Sequence, residues 1–257
     1  MKYQIDVSGV GVIITGASKG IGQALAHGFS ECGARVINAD LGPPEPPHDE
    51  VLLQNIEYIE TDITNFGDVQ KMVEKAAIKH PINVLINNAG VIYKALAEQM
   101  DMAQWDHVLK VNLTGPMNCA KAVIPHLKKQ QSSRIINLCS MQSFLGTPTY
   151  GAYTATKSAL SGLTRVWAKE LAEFGVTVNG ICPSFVDTPM LKNAIQKFAD
   201  EHDISFDDAY KTFIEPVPQK RVLQPEEIVF LSLFLSSPLA QSITGQNILA
   251  TGGMVLS

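Results

Sequence analysis

The chain is poor in cysteine and has no long apolar run, and these absences exclude several kinds of protein. Only four cysteines occur among its 257 residues, far apart and with no C-x-x-C spacing. Zinc sites and disulfide frameworks need regular cysteine or histidine spacing, so no metal is expected. No stretch approaches the roughly 20 apolar residues that span a bilayer, and no signal-peptide core is present. The sequence therefore predicts a cytoplasmic protein without a membrane partner.

Clusters of basic residues are also lacking. Lys and Arg number 20 against 25 Asp and Glu, which gives a net charge of −5, and no run of Lys and Arg exceeds two residues. Nucleic-acid backbones are bound by clustered basic side chains, so no nucleic-acid partner is expected. The apolar fraction of 46% and the charged fraction of 18% are close to globular averages, which excludes a disordered chain.

Short apolar runs alternate along the chain with segments that repeat apolar residues at helical spacing. The runs predict strands at residues 10–14, 34–39, 56–60, 83–87, 134–138, 177–181 and 247–249. The periodic segments predict helices at residues 21–29, 66–79, 102–127 and 153–174, and one that begins near residue 225. Repeated β-α units produce a parallel sheet covered by helices on both faces. The sequence therefore predicts an α/β protein in which residues 1–257 form a single doubly wound domain.

One segment, approximately residues 188–217, interrupts this alternation with two helix-like pieces at residues 191–201 and 206–213. It follows the carboxyl end of a predicted strand, which is where ligands bind in open α/β sheets. We therefore expect a helical lid over a small-molecule substrate. The alternative is a surface helical hairpin that contacts no ligand.

A glycine-rich turn follows the first predicted strand. Gly16, Gly20 and Gly22 form Gly-x-x-x-Gly-x-Gly at the start of the first helix. Glycine allows a tight turn and close approach of a pyrophosphate, whose charge is stabilised by the N–H groups of the helix N-terminus. The turn therefore predicts a dinucleotide site.

Asp40 ends the second predicted strand, about twenty residues beyond the glycine turn, where a carboxylate can accept hydrogen bonds from the adenosine ribose. A carboxylate repels a 2′-phosphate, and Glu45, Asp49 and Glu50 make the following loop acidic. These residues favour NAD. Lys19, inside the turn, could reach a 2′-phosphate, so NADP remains the alternative.

Tyr153 is followed four residues later by Lys157, so on a helix the two side chains share one face. A nearby ammonium favours the phenolate of a tyrosine and makes it usable for proton transfer. Ser140 follows the strand predicted at residues 134–138, and Asn112 lies on an earlier helix. Alone, each is an ordinary turn or helix residue. Because strand ends converge on one crevice, together they predict an active site.

These motifs, in this order, resemble the short-chain dehydrogenase/reductase family. The residues that carry the resemblance are Thr15-Gly16-Ala17-Ser18-Lys19-Gly20-Ile21-Gly22, Asn87-Asn88-Ala89-Gly90, Asn112, Ser140, Tyr153 and Lys157. The similarity covers nearly the whole chain. It implies a Rossmann-type fold, an NAD(P)-dependent oxidoreductase acting on CH–OH groups, and a homotetramer.

The resemblance also implies a role for each matching residue. Tyr153 would be the acid/base on the substrate oxygen, Lys157 would lower its pKa and bind the nicotinamide ribose, and Ser140 would hold the substrate oxygen. Asn112 would maintain a water in a proton relay. The implied cofactor-binding residues are Gly16, Ser18, Lys19, Gly20, Ile21, Gly22, Asp40, Asp62, Ile63, Asn88, Ala89, Gly90, Tyr153, Lys157, Val186 and Thr188.

Gln142, two residues after Ser140, is the further residue expected to contact substrate together with Ser140 and Tyr153. Its alternative is a loop glutamine that faces solvent. The carboxyl third is similar to 3-hydroxybutyrate dehydrogenases, but Ile92 and Tyr150 stand where those enzymes carry polar and basic carboxylate-binding groups.

Three functions are compatible with the sequence. The favoured one is NAD-dependent interconversion of a secondary alcohol and a ketone on a small to medium hydroxy compound. The second is an NADPH-dependent 3-oxoacyl-thioester reductase. The third, a non-catalytic dinucleotide sensor, shares the fold but does not need Tyr153 and Lys157 together.

Overall fold

The computed structural model describes residues 5–44 and 54–256, in which strands and helices alternate. The strands are β1 (Gly11–Thr15), β2 (Arg35–Asp40), β3 (Ile56–Glu60), β4 (Val84–Asn87), β5 (Ser133–Leu138), β6 (Val176–Pro183) and β7 (Asn247–Ala250). The helices are α1 (Gly20–Glu31), α2 (Phe66–Lys79), α3 (Met102–Leu109), α4 (Gly115–Leu127), α5 (Gly151–Leu171), α6 (Pro189–His202), α7 (Phe206–Ile214) and α8 (Pro225–Ser236). The acidic loop residues Glu45, Asp49 and Glu50 lie outside the described residues.

The described strands form a seven-stranded sheet in the order β3-β2-β1-β4-β5-β6-β7, with every pairing parallel. The order reverses between β1 and β4, so their carboxyl ends flank a crevice at the topological switch point. The central strands β1, β4, β5 and β6 are buried throughout. Strands covered on both faces are rich in apolar residues, which explains why these segments read as largely apolar runs in the sequence.

Helices cover both faces of the sheet, as the doubly wound prediction requires. On one face, α1 and α8 pack together and bury Leu25, Phe29 and Leu233 against β1 and β4. On the other face, α2, α4 and α5 bury Met72, Leu127 and other apolar side chains. The Rossmann-type α/β prediction is therefore confirmed.

The helix predicted over residues 102–127 is not continuous. α3 passes into a π-helical segment at Lys110–Thr114 before α4 begins at Gly115. A π-helical turn adds a residue to the turn and rotates the side chains that follow it. Asn112 lies in this segment and is fully buried, so the local change of helix type positions a polar side chain inside the molecule.

Arg134, near the start of β5, is only 1% exposed and has no carboxylate partner among the described residues. Its guanidinium donates to the carbonyl oxygens of Leu235, Ser237 and Ser133 at 3.2, 3.1 and 2.9 Å. Burial lowers its pKa. Because the first two carbonyls end α8, the buried side chain fastens that helix to the base of β5.

The segment after β6 is helical, as predicted, and consists of α6 and α7; its role as a lid over substrate stays a prediction. Thr188 caps α6 by accepting from Leu191 N at 3.4 Å, and Ser205 caps α7 by accepting from Asp208 N at 3.1 Å. The two helices have an apolar cluster of their own, which contains Ile195. They therefore form a small separate layer beside the sheet.

Candidate functional site

The glycine turn brings β1 and α1 close to the end of β4. Gly16 has a φ of 66°, and a Cβ built there would lie 2.8 Å from Ala89 Cα. A Cβ on Gly22 would lie 2.1 Å from Gly16 O and 2.5 Å from Asn88 Nδ2. Neither position has room for a side chain, and the first also needs a backbone conformation that glycine adopts easily.

Two polar side chains join this turn to the strand beside it. The Thr15 hydroxyl accepts from the backbone N–H groups of Asn88 and Ala89 at 3.0 and 3.1 Å. The Asn88 amide donates to Thr15 O and Gly16 O at 3.0 and 2.9 Å. The Asn88 side chain therefore holds the glycine turn, and Gly90 continues the same segment toward Asn112.

Ser18 and Asp40 meet at the edge of the turn. Ser18 N donates to Asp40 Oδ2 at 2.9 Å, and Leu41 N donates to Asp40 Oδ1 at 2.8 Å. Asn38 donates to the Ser18 hydroxyl at 3.1 Å. These bonds fix the orientation of the carboxylate beside the start of α1, and each oxygen retains capacity to accept a ribose hydroxyl.

Lys19 and Ile21 occupy different environments within the turn. Lys19 precedes α1 and is exposed, and no described carboxylate pairs with it. Ile21, in the first turn of α1, packs partly against the core. The lysine is therefore free to meet an anion, whereas the isoleucine anchors the helix start.

Asp62 and Ile63 follow β3, the edge strand next to β2, on the same side of the crevice as Asp40. The Asp62 carboxylate accepts from Thr64 N at 2.8 Å. The Ile63 side chain is buried in the core beside α4, and its carbonyl accepts from Asn118 Nδ2 at 2.9 Å. Ile63 therefore points its side chain into the core, so that an adenine contact would fall to its backbone N–H and to Asp62.

Val186 and Thr188 connect β6 to the lid. Val186 is buried and its carbonyl accepts from the Thr188 hydroxyl at 3.2 Å. The methyl group of Thr188 lies 3.6 Å from where a Cβ on Gly20 would be. Thr188 therefore directs its methyl group toward the glycine turn, while its hydroxyl is bonded within its own segment.

Tyr153 and Lys157 lie on successive turns of α5 and face the end of β5. The Lys157 ammonium is 4% exposed, donates to Leu138 O at 2.6 Å, and lies 5.6 Å from the centre of the Tyr153 ring. The shared helix face expected from the sequence is therefore present. The carbonyl of Leu138, at the end of β5, holds the Lys157 ammonium in this position.

The pKa of Tyr153 is raised above its ordinary value. Burial raises it to about 12, and the Ser140 hydroxyl beside the phenol lowers it by a smaller amount. Burial also lowers the pKa of Lys157. In the protein by itself, desolvation of the phenolate therefore dominates the pKa of Tyr153. That Lys157 lowers this pKa stays a prediction.

Ser140 and Asn112 approach the same place from two other elements. Ser140 follows β5, and its hydroxyl accepts from Gln142 N at 3.2 Å. The Asn112 amide bonds both backbone groups of Val91, accepting at 2.8 Å and donating at 2.9 Å. A Cβ on Gly90 would lie 3.4 Å from Asn112 Oδ1 and 3.6 Å from Lys157 Nζ. The four residues Asn112, Ser140, Tyr153 and Lys157 therefore converge.

Gln142 is not a solvent-facing loop residue. It is 4% exposed, its amide donates to the Thr147 hydroxyl at 2.8 Å, and Thr154 donates to its carbonyl at 3.5 Å. These partners hold the amide in a loop next to Ser140. The environment leaves little of the amide open to a substrate.

A cysteine pair beside the site was not anticipated. Cys139 directly follows β5, Cys182 lies in β6, and both are buried. The Cys139 thiol donates to Asn247 Oδ1 at 3.8 Å. The proximity of the two thiols lowers the pKa of Cys139 and raises that of Cys182. Only the pairing of the two strands, which sequence spacing does not reveal, brings them together next to Lys157.

The described residues contain no group of acidic, histidine or cysteine side chains suited to a metal ion. Across residues 5–44 and 54–256, none of the helices has the length and apolar character needed to cross a membrane.

The chain is similar in sequence to a family model and to known oxidoreductases. Residues 11–198 match the family model described as short chain dehydrogenase. A 3-oxoacyl-[acyl-carrier-protein] reductase of Thermotoga maritima is 34% identical over 95% of this chain and 97% of its own. A D-beta-hydroxybutyrate dehydrogenase of Rhizobium meliloti is 32% identical over 94% and 96%.

Solved structures of dehydrogenases have a similar fold. The aldohexose dehydrogenase of Thermoplasma acidophilum, in ligand-free form, has a TM-score of 0.89 and 30% identity over 96% of this chain and 94% of its own. A proposed NAD(P)-dependent gluconate 5-dehydrogenase of Beutenbergia cavernae, with NADP bound at low occupancy, has a TM-score of 0.86 and 31% identity over 98% and 99%. The similarity therefore extends over almost the entire chain.

Proposed function

Because this chain belongs to the short chain dehydrogenase family of oxidoreductases acting on alcohols and ketones, we propose that it interconverts a secondary alcohol and a ketone on a small to medium hydroxy compound, with NAD as cofactor. The observation that carries the proposal is the convergence of Tyr153, Ser140 and Lys157 at the end of β5, beside the turn at Gly16. A non-catalytic dinucleotide sensor would have no use for this convergence, so we do not favour it.

The proposed mechanism divides the chemistry between protein and cofactor. When bound, the dinucleotide would supply or accept the hydride and, in its oxidised form, would add a positive charge that favours the tyrosinate. Tyr153 donates its proton to the carbonyl oxygen in reduction and accepts it in oxidation. Ser140 hydrogen-bonds the same oxygen. Lys157 would hold the ribose of the bound cofactor, and Asn112 would maintain the water of the proton relay.

The raised pKa of Tyr153 has a consequence for direction. A phenol with a pKa of about 12 is protonated at neutral pH, so the protein by itself is ready for ketone reduction. Alcohol oxidation requires the tyrosinate and should therefore rise with pH in a kcat/KM profile. A pH-independent oxidation rate from pH 6 to pH 10 would contradict this role for Tyr153.

The activity is tested by following NADH absorbance with a panel of secondary alcohols, hydroxy acids and polyols and the corresponding ketones. Tyr153→Phe should lower kcat about a thousandfold, the range for general acid/base groups, while NADH affinity stays within about twofold. Tyr58→Phe, on the edge strand β3, is the matched control. Turnover that survives in Tyr153→Phe would refute the proposal.

The preference for NAD is supported by the Asp40 carboxylate, which Ser18 N and Leu41 N hold beside the turn. Replacement of Asp40 by Ala removes the charge that would repel a 2′-phosphate. We expect the ratio of NAD to NADP efficiency to fall about a hundredfold, mostly through the Kd for NADP. An unchanged ratio would show that Asp40 does not select the cofactor.

The second candidate, an NADPH-dependent 3-oxoacyl-thioester reductase, is favoured by the exposed Lys19 and by the Thermotoga maritima relative. The two candidates differ in cofactor and substrate together. NADPH oxidation with a 3-oxoacyl thioester that exceeds NADH oxidation with simple ketones would favour the second. Lys19→Ala should then weaken NADPH about tenfold and leave NADH unchanged.

We also propose that the enzyme is a cytoplasmic homotetramer of single-domain subunits, in which residues 188–217 cover the substrate. Its free cysteines suit a reducing compartment. Exposed apolar side chains on α4, on α5 and just after it, namely Met117, Val166 and Phe174, suit a subunit interface. Light scattering should give four times the 27.9 kDa chain mass; a monomer would contradict the assembly.

A further inference from the structure

We propose that the substrate carries an anionic group close to the reacting carbon, and that Lys94 and Tyr150 hold this group at the mouth of the crevice. The inference rests on the proposed function, because it names the class of substrate on which Tyr153 would act. It depends on the loop formed by residues 91–95, which follows the Asn-Asn-Ala-Gly segment after β4.

This loop is attached at both ends to the catalytic elements. At its start, the backbone N–H and carbonyl of Val91 bond the Asn112 amide at 2.8 and 2.9 Å. At its end, Ala95 N donates to Thr149 O at 3.0 Å, next to Tyr150. The loop therefore runs from one converging residue to the segment that leads into Tyr153, and its position does not depend on the lid.

Exposure alternates along the loop. Val91, Tyr93 and Ala95 are half-buried, whereas Ile92 and Lys94 are exposed. An extended chain directs successive side chains to opposite sides, so Ile92 and Lys94 share the open side. An apolar side chain and an ammonium thus stand together, and such a pair can contact a short carbon chain that ends in a negative charge.

The ammonium of Lys94 lies over an aromatic ring that leads to the reacting tyrosine. Its Nζ is 4.8 Å from the centre of the Tyr150 ring. The Tyr150 and Tyr153 ring centres are 6.3 Å apart in an edge-on arrangement. The Tyr150 ring therefore contacts both the Lys94 ammonium and the Tyr153 ring. The ring also supports the ammonium through a cation–π contact.

Lys94 has no carboxylate partner within residues 5–44 and 54–256. Three cations on or next to the lid each have one, at 3.1, 2.9 and 2.6 Å: Lys192 with Asp187, Lys211 with Asp208, and Arg221 with Glu227. An unpaired ammonium over the Tyr150 ring, which in turn contacts Tyr153, attracts a substrate anion, and this anion can also accept a hydrogen bond from the Tyr150 hydroxyl.

The anion can be the carboxylate of an oxo or hydroxy acid or the phosphate of a thioester carrier, and both share the same recognition chemistry. Two matched pairs of substrates separate these sources. One pair is a short oxo acid and its methyl ester. The other is a 3-oxoacyl thioester whose thiol part carries a phosphate and the same thioester without it.

The experiment measures kcat/KM for each pair with the wild type, Lys94→Gln and Lys94→Arg. We expect the wild type to prefer the charged member of one pair by about tenfold or more, mainly through KM. Lys94→Gln should remove the preference, and Lys94→Arg should keep most of it. Lys121→Gln is the matched control, because that ammonium lies 4.5 Å from the Phe66 ring on another face.

The pair that responds identifies the anion as carboxylate or phosphate. Equal use of charged and neutral members by the wild type, or an equal loss on both in Lys94→Gln, overturns the inference. If no member of either pair is turned over but an uncharged ketone or polyol of the wider panel is, the inference is overturned and the proposed function stands; if nothing in the panel is turned over with NADH or NADPH, the proposed function fails. Calorimetric titration of the same pairs into the NADH complex then tests the anion site by itself, and equal binding of both members overturns it.

Discussion

The glycine turn and the α6–α7 lid hold their positions by different means. The turn is held by main-chain contacts and by two side chains, Thr15 and Asn88, that bond backbone groups of neighbouring strands. The α6–α7 lid segment is held mainly by an apolar cluster, in which the Phe213 ring centre lies 5.7 Å from that of Phe198 within the segment and 5.5 Å from that of Phe185, just after β6. The turn is therefore part of the sheet, whereas the lid is a separate small layer.

This difference indicates how the family can keep one chemistry and change its substrate. A turn held by backbone groups tolerates few substitutions, because each would disturb the sheet. A helical pair held largely by contacts among its own side chains can change in shape without disturbing the sheet. We therefore expect substitutions in the turn to cost global stability and cofactor affinity, and substitutions in the lid to act locally.

The largest effect is expected from Gly22→Ala. The new Cβ would lie 2.1 Å from Gly16 O and 2.5 Å from Asn88 Nδ2, so the turn must shift. We expect a loss of about 3 kcal/mol in the free energy of unfolding, measured in urea, and NADH binding weakened by more than tenfold. Gly162→Ala, where no atom lies within 4 Å of the new Cβ, should stabilise slightly. If Gly22→Ala and Gly162→Ala changed the free energy of unfolding equally, the close packing of the glycine turn would not be what holds it.

Thr15→Val is expected to have the second-largest effect on the free energy of unfolding. The change keeps the side-chain shape but removes the hydroxyl that accepts from Asn88 N and Ala89 N. Two buried donors lose a partner, so the free energy of unfolding should fall by about 2 kcal/mol. Thr15→Ser retains the hydroxyl and should cost less. If serine were the worse replacement, packing and not hydrogen bonding would hold this junction.

Phe213→Ala tests the lid. The ring is half-buried and contacts Phe185 and Phe198. We expect hydrogen exchange of α6 and α7 amides to accelerate about tenfold, or ~1.4 kcal/mol, with little change in the sheet. The KM should rise if the lid covers the substrate. Faster exchange that extended into β1 and β4 would show that lid and sheet unfold together.

Arg221→Ala should have the smallest effect. The guanidinium bonds Glu227, which also accepts from Gln224 N at the start of α8, and lowers the pKa of Glu227 to about 2. The pair is largely exposed, so its stabilisation should be only about 0.5 kcal/mol. Because the folded pKa is depressed from 4.5, this contribution is present above pH 4.5 and is lost as pH falls through 2. A variant difference that grew in acid would contradict the assignment.

Features defined by neighbouring residues could be predicted from the sequence. The alternation of strands and helices, the turn at Gly16 and the shared face of Tyr153 and Lys157 depend on local spacing, and the structure has each of them. The convergence with Ser140 and Asn112 was predictable because parallel strands end at one edge of a sheet.

Features that depend on tertiary contacts could not be predicted. Arg134 reaches carbonyls 101 and 103 residues away, and no pattern near β5 indicates a buried cation. The raised pKa of Tyr153 arises from burial, which spacing does not report. The π-helical segment around Asn112 and the contact between Lys94 and Tyr150 are of the same kind, since each requires the packed arrangement of distant elements.

The buried guanidinium of Arg134 bears on the redesign of this enzyme. Its hydrogen bonds join α8 to the start of β5, and Ser140 follows the other end of the same strand. The contact that anchors α8 and the reacting groups therefore lie at opposite ends of β5. A library of variants confined to residues 91–95 and the helical pair would leave that anchor untouched. Variants could then be selected for activity on new substrates without additional substitutions that restore folding stability.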